Sequence, residues 1–122
     1  MTSEWQHFAR SMRVSNDRIT VALDRGRQHD VQVLEHSDGW ELSGPAADSE
    51  TLTAAGLTHT KLWEWNRYED LIGYVIDEAG TAWVTAWMPK VGATAEEFEA
   101  VVREVAVEAD RLEYYCSGLD EL

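Results

Sequence analysis

Apolar positions recur along the chain with two periods. Trp5, Phe8, Ala9 and Met12 are spaced as one face of a helix. Ser3 stands three residues ahead of Gln6, the spacing of a capping box, so a short amphipathic helix is predicted over residues 3–13. The period then shortens to two. Ile19, Val21 and Leu23 alternate, Asp24-Arg25-Gly26-Arg27 is turn chemistry, and Val31 and Val33 resume the alternation. Ser37-Asp38-Gly39 supplies a second turn, and Trp40 and Leu42 open a third strand that ends at Gly44-Pro45. Three antiparallel strands are predicted here.

Asp48 is placed to cap a short helix running to Ala55, with Gly56 as its stop. This helix carries little apolar surface, only Leu52 and Ala55, and reads as a connector. A second three-stranded meander is predicted over residues 62–68, 71–77 and 81–88. Glu69-Asp70 and Glu78-Ala79-Gly80 form its turns, and Pro89 ends it because proline cannot donate to a ladder. The last element has the strongest pattern. Thr94 precedes Glu97 by three, and Phe98, Val101, Val102, Val105, Ala109 and Leu112 fall on one helical face. Glu96, Glu97 and Glu99 lie at the positive end of its dipole, and Ser117-Gly118 closes it.

The order α-β-β-β-α-β-β-β-α contains no βαβ alternation. An α+β fold is therefore expected: an antiparallel sheet of about six strands packed on a long C-terminal helix. No repeat or linker divides the chain, so 1–122 is expected to be a single domain.

Tryptophan complicates this sheet. Of six tryptophans, four fall in the second meander. As strands, residues 62–68 put Trp63 and Trp65 on one face, and residues 81–88 put Trp83 and Trp87 on one face with Thr85 between them. The opposite face of the last strand carries Ala82, Val84 and Ala86, and Tyr74 sits among apolar neighbours on the strand between. A sheet with one wet face should alternate cleanly, and this one does not. One face must take the long helix. The other is covered by the N-terminal helix, by a second copy of the chain or by a partner polypeptide. Because the short helices offer so little apolar area, Trp63, Trp65, Tyr74, Trp83 and Trp87 are expected to form a protein-binding or dimer surface.

Charge narrows the partners. Ten lysines and arginines face 23 aspartates and glutamates, a net charge of −13. Nucleic acid and anionic membrane surfaces are poor partners for such a chain. The basic residues are mostly arginine, and the acids are dispersed rather than gathered in a tail. This suits a surface hydrated at molar salt and points to a halophilic archaeon as the source. It also devalues exposed carboxylates as signs of an active site.

Chemical motifs are sparse. His7, His29, His36 and His59 show no metal-ligand spacing, and Cys116 has no partner motif. There is no nucleophile elbow, dinucleotide fingerprint or phosphate loop. Glu64 would point away from the rings of Trp63 and Trp65 on a strand, and Cys116 lies at a helix C-terminus, where the dipole disfavours a thiolate. No catalytic residue, metal or cofactor is expected. The lone cysteine, the lack of an apolar spanning run and the lack of a signal peptide after Met1 point to the cytoplasm.

Residues 71–77 (Leu71-Ile72-Gly73-Tyr74-Val75-Ile76-Asp77), Gly80 and Ala82-Trp83-Val84-Thr85-Ala86 are followed by Met88-Pro89 and the helix from Phe98 to Ala109-Asp110-Arg111-Leu112-Glu113. This half resembles the type III secretion chaperone-like superfamily, in particular its YbjN-type members; residues 1–58 resemble it only in the order of elements. The resemblance implies an α+β sandwich, often a homodimer, that binds extended segments of other proteins without catalysis. The sequence therefore points to a non-enzymatic, chaperone-like or regulatory homodimer with an unknown protein client. A small-molecule binding domain with a Trp-lined pocket is the alternative.

Overall fold

The computed structural model describes residues 4–9, 12–15, 17–23, 26–66 and 72–117. Side chains of residues 4, 7, 59, 63, 65, 66 and 117 are outside that description. The elements are α1 (Glu4–Phe8), β1 (Arg13–Ser15), β2 (Arg18–Ala22), β3 (Gln28–Glu35), β4 (Gly39–Ala47), α2 (Ser49–Ala54), α3 (His59–Asn66), β5 (Ile72–Ile76), β6 (Ala82–Pro89) and α4 (Ala95–Ser117). All strand pairs are antiparallel, in the order β1-β2-β3-β4-β6-β5. The α+β architecture and the six strands are as expected, but the strands divide four and two rather than three and three.

Two elements account for the difference. The N-terminal helix stops at Phe8, and Arg13–Ser15 forms an extra edge strand within and beyond the stretch predicted to be helical. Residues 59–66 are helical rather than extended. Gly56, at φ +73°, reverses the chain after α2, and Thr58 then caps α3: its hydroxyl accepts from the Lys61 N–H at 3.2 Å, and its carbonyl from that of Leu62 at 3.1 Å. Trp63 and Trp65 therefore lie about 200° apart around a helix instead of sharing a strand face. The remainder of the expected strand, residues 67–68, and its turn at Glu69-Asp70 lie outside the described residues.

The core lies mainly between α4 and the sheet, with Trp5, Ala9, Leu52, Leu57 and Leu62 added from the shorter helices and their connections. Ile19, Val21, Val31, Val33, Leu42, Val84 and Ala86 meet Phe98, Val102, Val105, Ala109 and Leu112, all buried. Thr94 caps α4, accepting the Glu97 N–H through its hydroxyl at 3.2 Å. The helix lies close because small residues face it. A Cβ on Gly44 of β4 would stand 3.2 Å from that of Ala109 and 3.4 Å from Cγ1 of Val105. At one end, Trp5, Phe8, Trp40 and Phe98 form an aromatic cluster, with Trp40 edge-on to Phe98 at 5.5 Å.

The β4 strand continues past Gly44-Pro45 to Ala47, two residues beyond its predicted end. Proline cannot donate, so the ladder to β6 slips its register between Pro45 and Ala47. The Pro45 carbonyl is satisfied sideways by Nε2–H of buried His29 at 2.5 Å.

Candidate functional site

With α4 on one face, the alternate residues of the strands define the other. The register places Gly73, Thr85, Ser43 and Gln32 side by side across β5, β6, β4 and β3. On one side of this low row lie Val75, Trp83 and Pro45; on the other lie Trp87, Glu41 and Leu34. The result is an open groove of about 570 Å³, walled by the two indoles and floored by short side chains. No element among the described residues covers it. Leu34, Val75 and Trp87 remain 56%, 50% and 47% exposed, a concentration of large apolar side chains that a wet sheet face does not ordinarily carry.

Both indoles are held in place by their neighbours. Trp83 Nε1–H donates to Asp77 Oδ2 at 2.9 Å. The other oxygen of Asp77 accepts the backbone N–H groups of Ala79 at 3.0 Å and Thr81 at 2.9 Å. Asp77 therefore couples the β5–β6 turn to one wall. Trp87 lies over Gly39: a Cβ there would overlap the indole and stand 2.6 Å from the Met88 carbonyl. The His36 ring lies 5.3 Å from that of Trp87, and its Nε2 is 3.7 Å from Glu41 Oε1.

The hydrogen bond from Trp83, then those from the turn backbone, hold the Asp77 carboxyl below its ordinary pKa of 3.8. Its folded pKa is depressed, so its contribution to the hairpin is complete above about pH 3.8 and is lost as pH falls through the folded value. The Trp83 indole N–H resonance should move in that acid range. In Asp77→Asn that transition should be absent, and its persistence would refute the assignment.

The residues expected to form a contact surface are thus separated. Trp83 and Trp87 share the groove. Tyr74 lies on the opposite sheet face, 9% exposed beneath α4, where its hydroxyl donates to Glu108 at 3.4 Å. Trp63 and Trp65 belong to α3, a helix that packs against β5, and their side chains are not described. Leu34, Val75, Glu41 and Ser43 were not singled out from sequence. Leu34 had a signal, because Val33 and Leu34 are adjacent on a strand and only one of them can face the core.

Among the described residues no group of three or more histidines, cysteines or acids could hold a metal ion. Cys116 is half-buried, and burial pushes its thiol up, away from a nucleophilic thiolate. Among the same residues, no helix is long and apolar enough to cross a membrane.

Solved structures share this architecture. A chain of the ExsC–ExsE complex superposes with a TM-score of 0.56 at 17% identity, over 79% of this chain and 73% of that one. A chain of the heterodimeric ExoU–SpcU complex, from the type III secretion system of Pseudomonas aeruginosa, gives 0.53 at 14% identity, over 83% and 84%. A chain of the HopA1–SchA chaperone–effector complex aligns at 0.46 and 13% identity over 95% and 89%. No protein-family model matches the sequence, and no curated protein is significantly similar to it. The first two superpositions place the chain in the secretion-chaperone-like α+β fold that the C-terminal half implied.

Proposed function

We propose that the protein is a non-enzymatic, chaperone-like or regulatory module that binds an extended segment of another polypeptide and acts as a small acidic homodimer in the cytoplasm. The observation that carries this reading is the uncovered outer sheet face with its two braced indoles. A half-exposed Trp87 and a partly buried Trp83, held by their neighbours rather than by a core, suit the centre of a contact surface. The fold agrees, since the ExsC–ExsE and ExoU–SpcU structures it resembles are complexes of two proteins. The proposed contact set is Trp83 and Trp87 with Leu34 and Val75. Trp63 and Trp65 of α3 remain candidates; Tyr74, beneath α4, is left out.

The test is an array of random ten-residue peptides probed with the native chain and with a Trp83→Ala, Trp87→Ala double variant. A set of peptides bound by the native chain should lose about thirtyfold or more in the variant, the scale of an interface hot spot of about 2 kcal/mol. Equal binding by both, with the fold intact, would remove the groove from the proposal. Light scattering addresses the homodimer. Twice the 13.8 kDa chain mass is expected in molar KCl, with dissociation or unfolding in dilute buffer if the −13 charge is an adaptation to salt. A stable monomer in both would count against the homodimer and the halophilic source.

The alternative, a Trp-lined site for a small molecule, keeps one point in its favour: the groove volume lies within the range of ligand pockets, about 300–1,000 Å³. Saturable quenching of tryptophan emission by a metabolite, abolished in the same double variant, would favour it.

A further inference from the structure

The groove has a shape and a charge that select among polypeptide segments. Its floor crosses four strands, about 14 Å at the usual strand spacing, which is the span of about four extended residues. Gly73, Thr85, Ser43 and Gln32 leave that path low. Trp83 and Trp87 are four residues apart on β6, so their Cα atoms are separated by about 13 Å, with only Thr85 on this face between them. A chain crossing the strands along this row therefore passes between the two indoles, where it can seat a side chain.

The chemistry of that side chain follows from what surrounds it. Asp17, Glu41 and Asp77 line the groove, and no lysine or arginine is among the described residues that do. Asp77 spends its hydrogen-bonding capacity on Trp83 and the turn, but keeps its negative charge, because its pKa is lowered. The faces of indole rings carry negative electrostatic potential and attract guanidinium and ammonium groups. The net charge of −13 adds a field that draws cations and repels anionic segments. Because both indoles are already braced, by Asp77 on one side and by Gly39 and His36 on the other, little ordering is needed when a ligand arrives.

Resting on the protein-binding reading above, we propose that the groove takes an extended cationic segment and seats an arginine or lysine side chain between Trp83 and Trp87. The cation gains both ring faces and the rim carboxylates. An apolar side chain of the same length gains only the contact area, and an acidic one meets three like charges.

Three capped pentapeptides of alternating serine and valine, with arginine, norleucine or glutamate at the centre, test this. Each is titrated into the whole isotope-labelled protein while the indole N–H resonances of Trp83 and Trp87 are followed. The arginine peptide should shift both resonances saturably and bind at least about tenfold more tightly than the norleucine peptide. The glutamate peptide should give no saturable shift, and the advantage of arginine should shrink in molar KCl. Norleucine binding as tightly as arginine would overturn the cationic preference and leave the protein-binding reading standing. No saturable shift with any of the three would count against both.

Discussion

Trp40→Ala should lower folding stability by about 3–5 kcal/mol, a large share of the roughly 5–15 kcal/mol available to a domain of this size. Trp40 is fully buried on the inner face of β4. Its ring is edge-on to Phe98 at 5.5 Å and to Phe8 at 5.7 Å, with the Lys90 ammonium 5.8 Å from its centroid. Truncation would leave a cavity where α1, α4 and the sheet meet, and three rigid neighbours cannot all collapse into it. The measurement is urea unfolding, read as a fall in the midpoint with an unchanged slope. Trp40→Phe removes the indole N–H together with a small part of the ring volume. The indole N–H has no hydrogen-bond partner among the described residues, so removing it leaves nothing else unpaired. That substitution should cost less than about 1.5 kcal/mol. Trp87→Ala is the control: a half-exposed ring on the outer face should cost less than about 1 kcal/mol. If Trp40→Ala cost as little as Trp87→Ala, the assignment of the two sheet faces would be wrong.

The second large effect is expected at the other end of α4. Asp110 is buried and accepts both Nε–H and an Nη2–H of Arg27, at 3.0 and 2.9 Å, while the guanidinium lies 4.5 Å from the centroid of the Tyr114 ring. This pair ties the helix to the chain just ahead of β3, across 83 residues of sequence. Asp110→Ala should destabilise by about 2–3 kcal/mol, less than the roughly 3–5 kcal/mol for a fully buried pair, because Arg27 is 31% exposed and can turn partly to water. Changing both residues to leucine should recover much of the loss, since no charge is then stranded. A double-mutant cycle by urea unfolding measures the coupling, and a value near zero would make the pair incidental.

Both effects depend on which face of each element is inward, and the sequence discloses that unevenly. In α4 the apolar stripe runs from Phe98 to Leu112 with its cap at Thr94, and no strand pattern competes with it. The β5–β6 hairpin was equally plain, because Asp77 and Gly80 mark its turn. Residues 62–66 misled because Leu62, Glu64 and Asn66 alternate with two tryptophans. Such a short run fits either period, and the cap at Thr58 settles it as a helix. The three residues of β1 were too few to show a period at all.

The candidate site was legible only in part. Alternation along β6 was enough to put Trp83 and Trp87 on one face, apart from Ala82, Val84 and Ala86. It could not add Leu34 or Glu41, because the groove exists only where β4 pairs with β6, and that pairing joins strands about 40 residues apart in the chain. Nor could it remove Tyr74, whose side depends on where α4 lands.

Local pattern and composition suffice for the elements with long periodic stripes or marked turns, the α+β class, the acidic charge and an excess of apolar strand faces over helix area to cover them. Those are properties of neighbouring residues and of sums over the chain. Packing in three dimensions sets where α3 lies beside β5, brings β4 and β6 together, and assigns Trp40 to the core while Trp83 and Trp87 line the groove. A tryptophan on a strand has the same local pattern in either place; what separates them is the docking of α4, which packs closely over Gly44 through Ala109 and Val105.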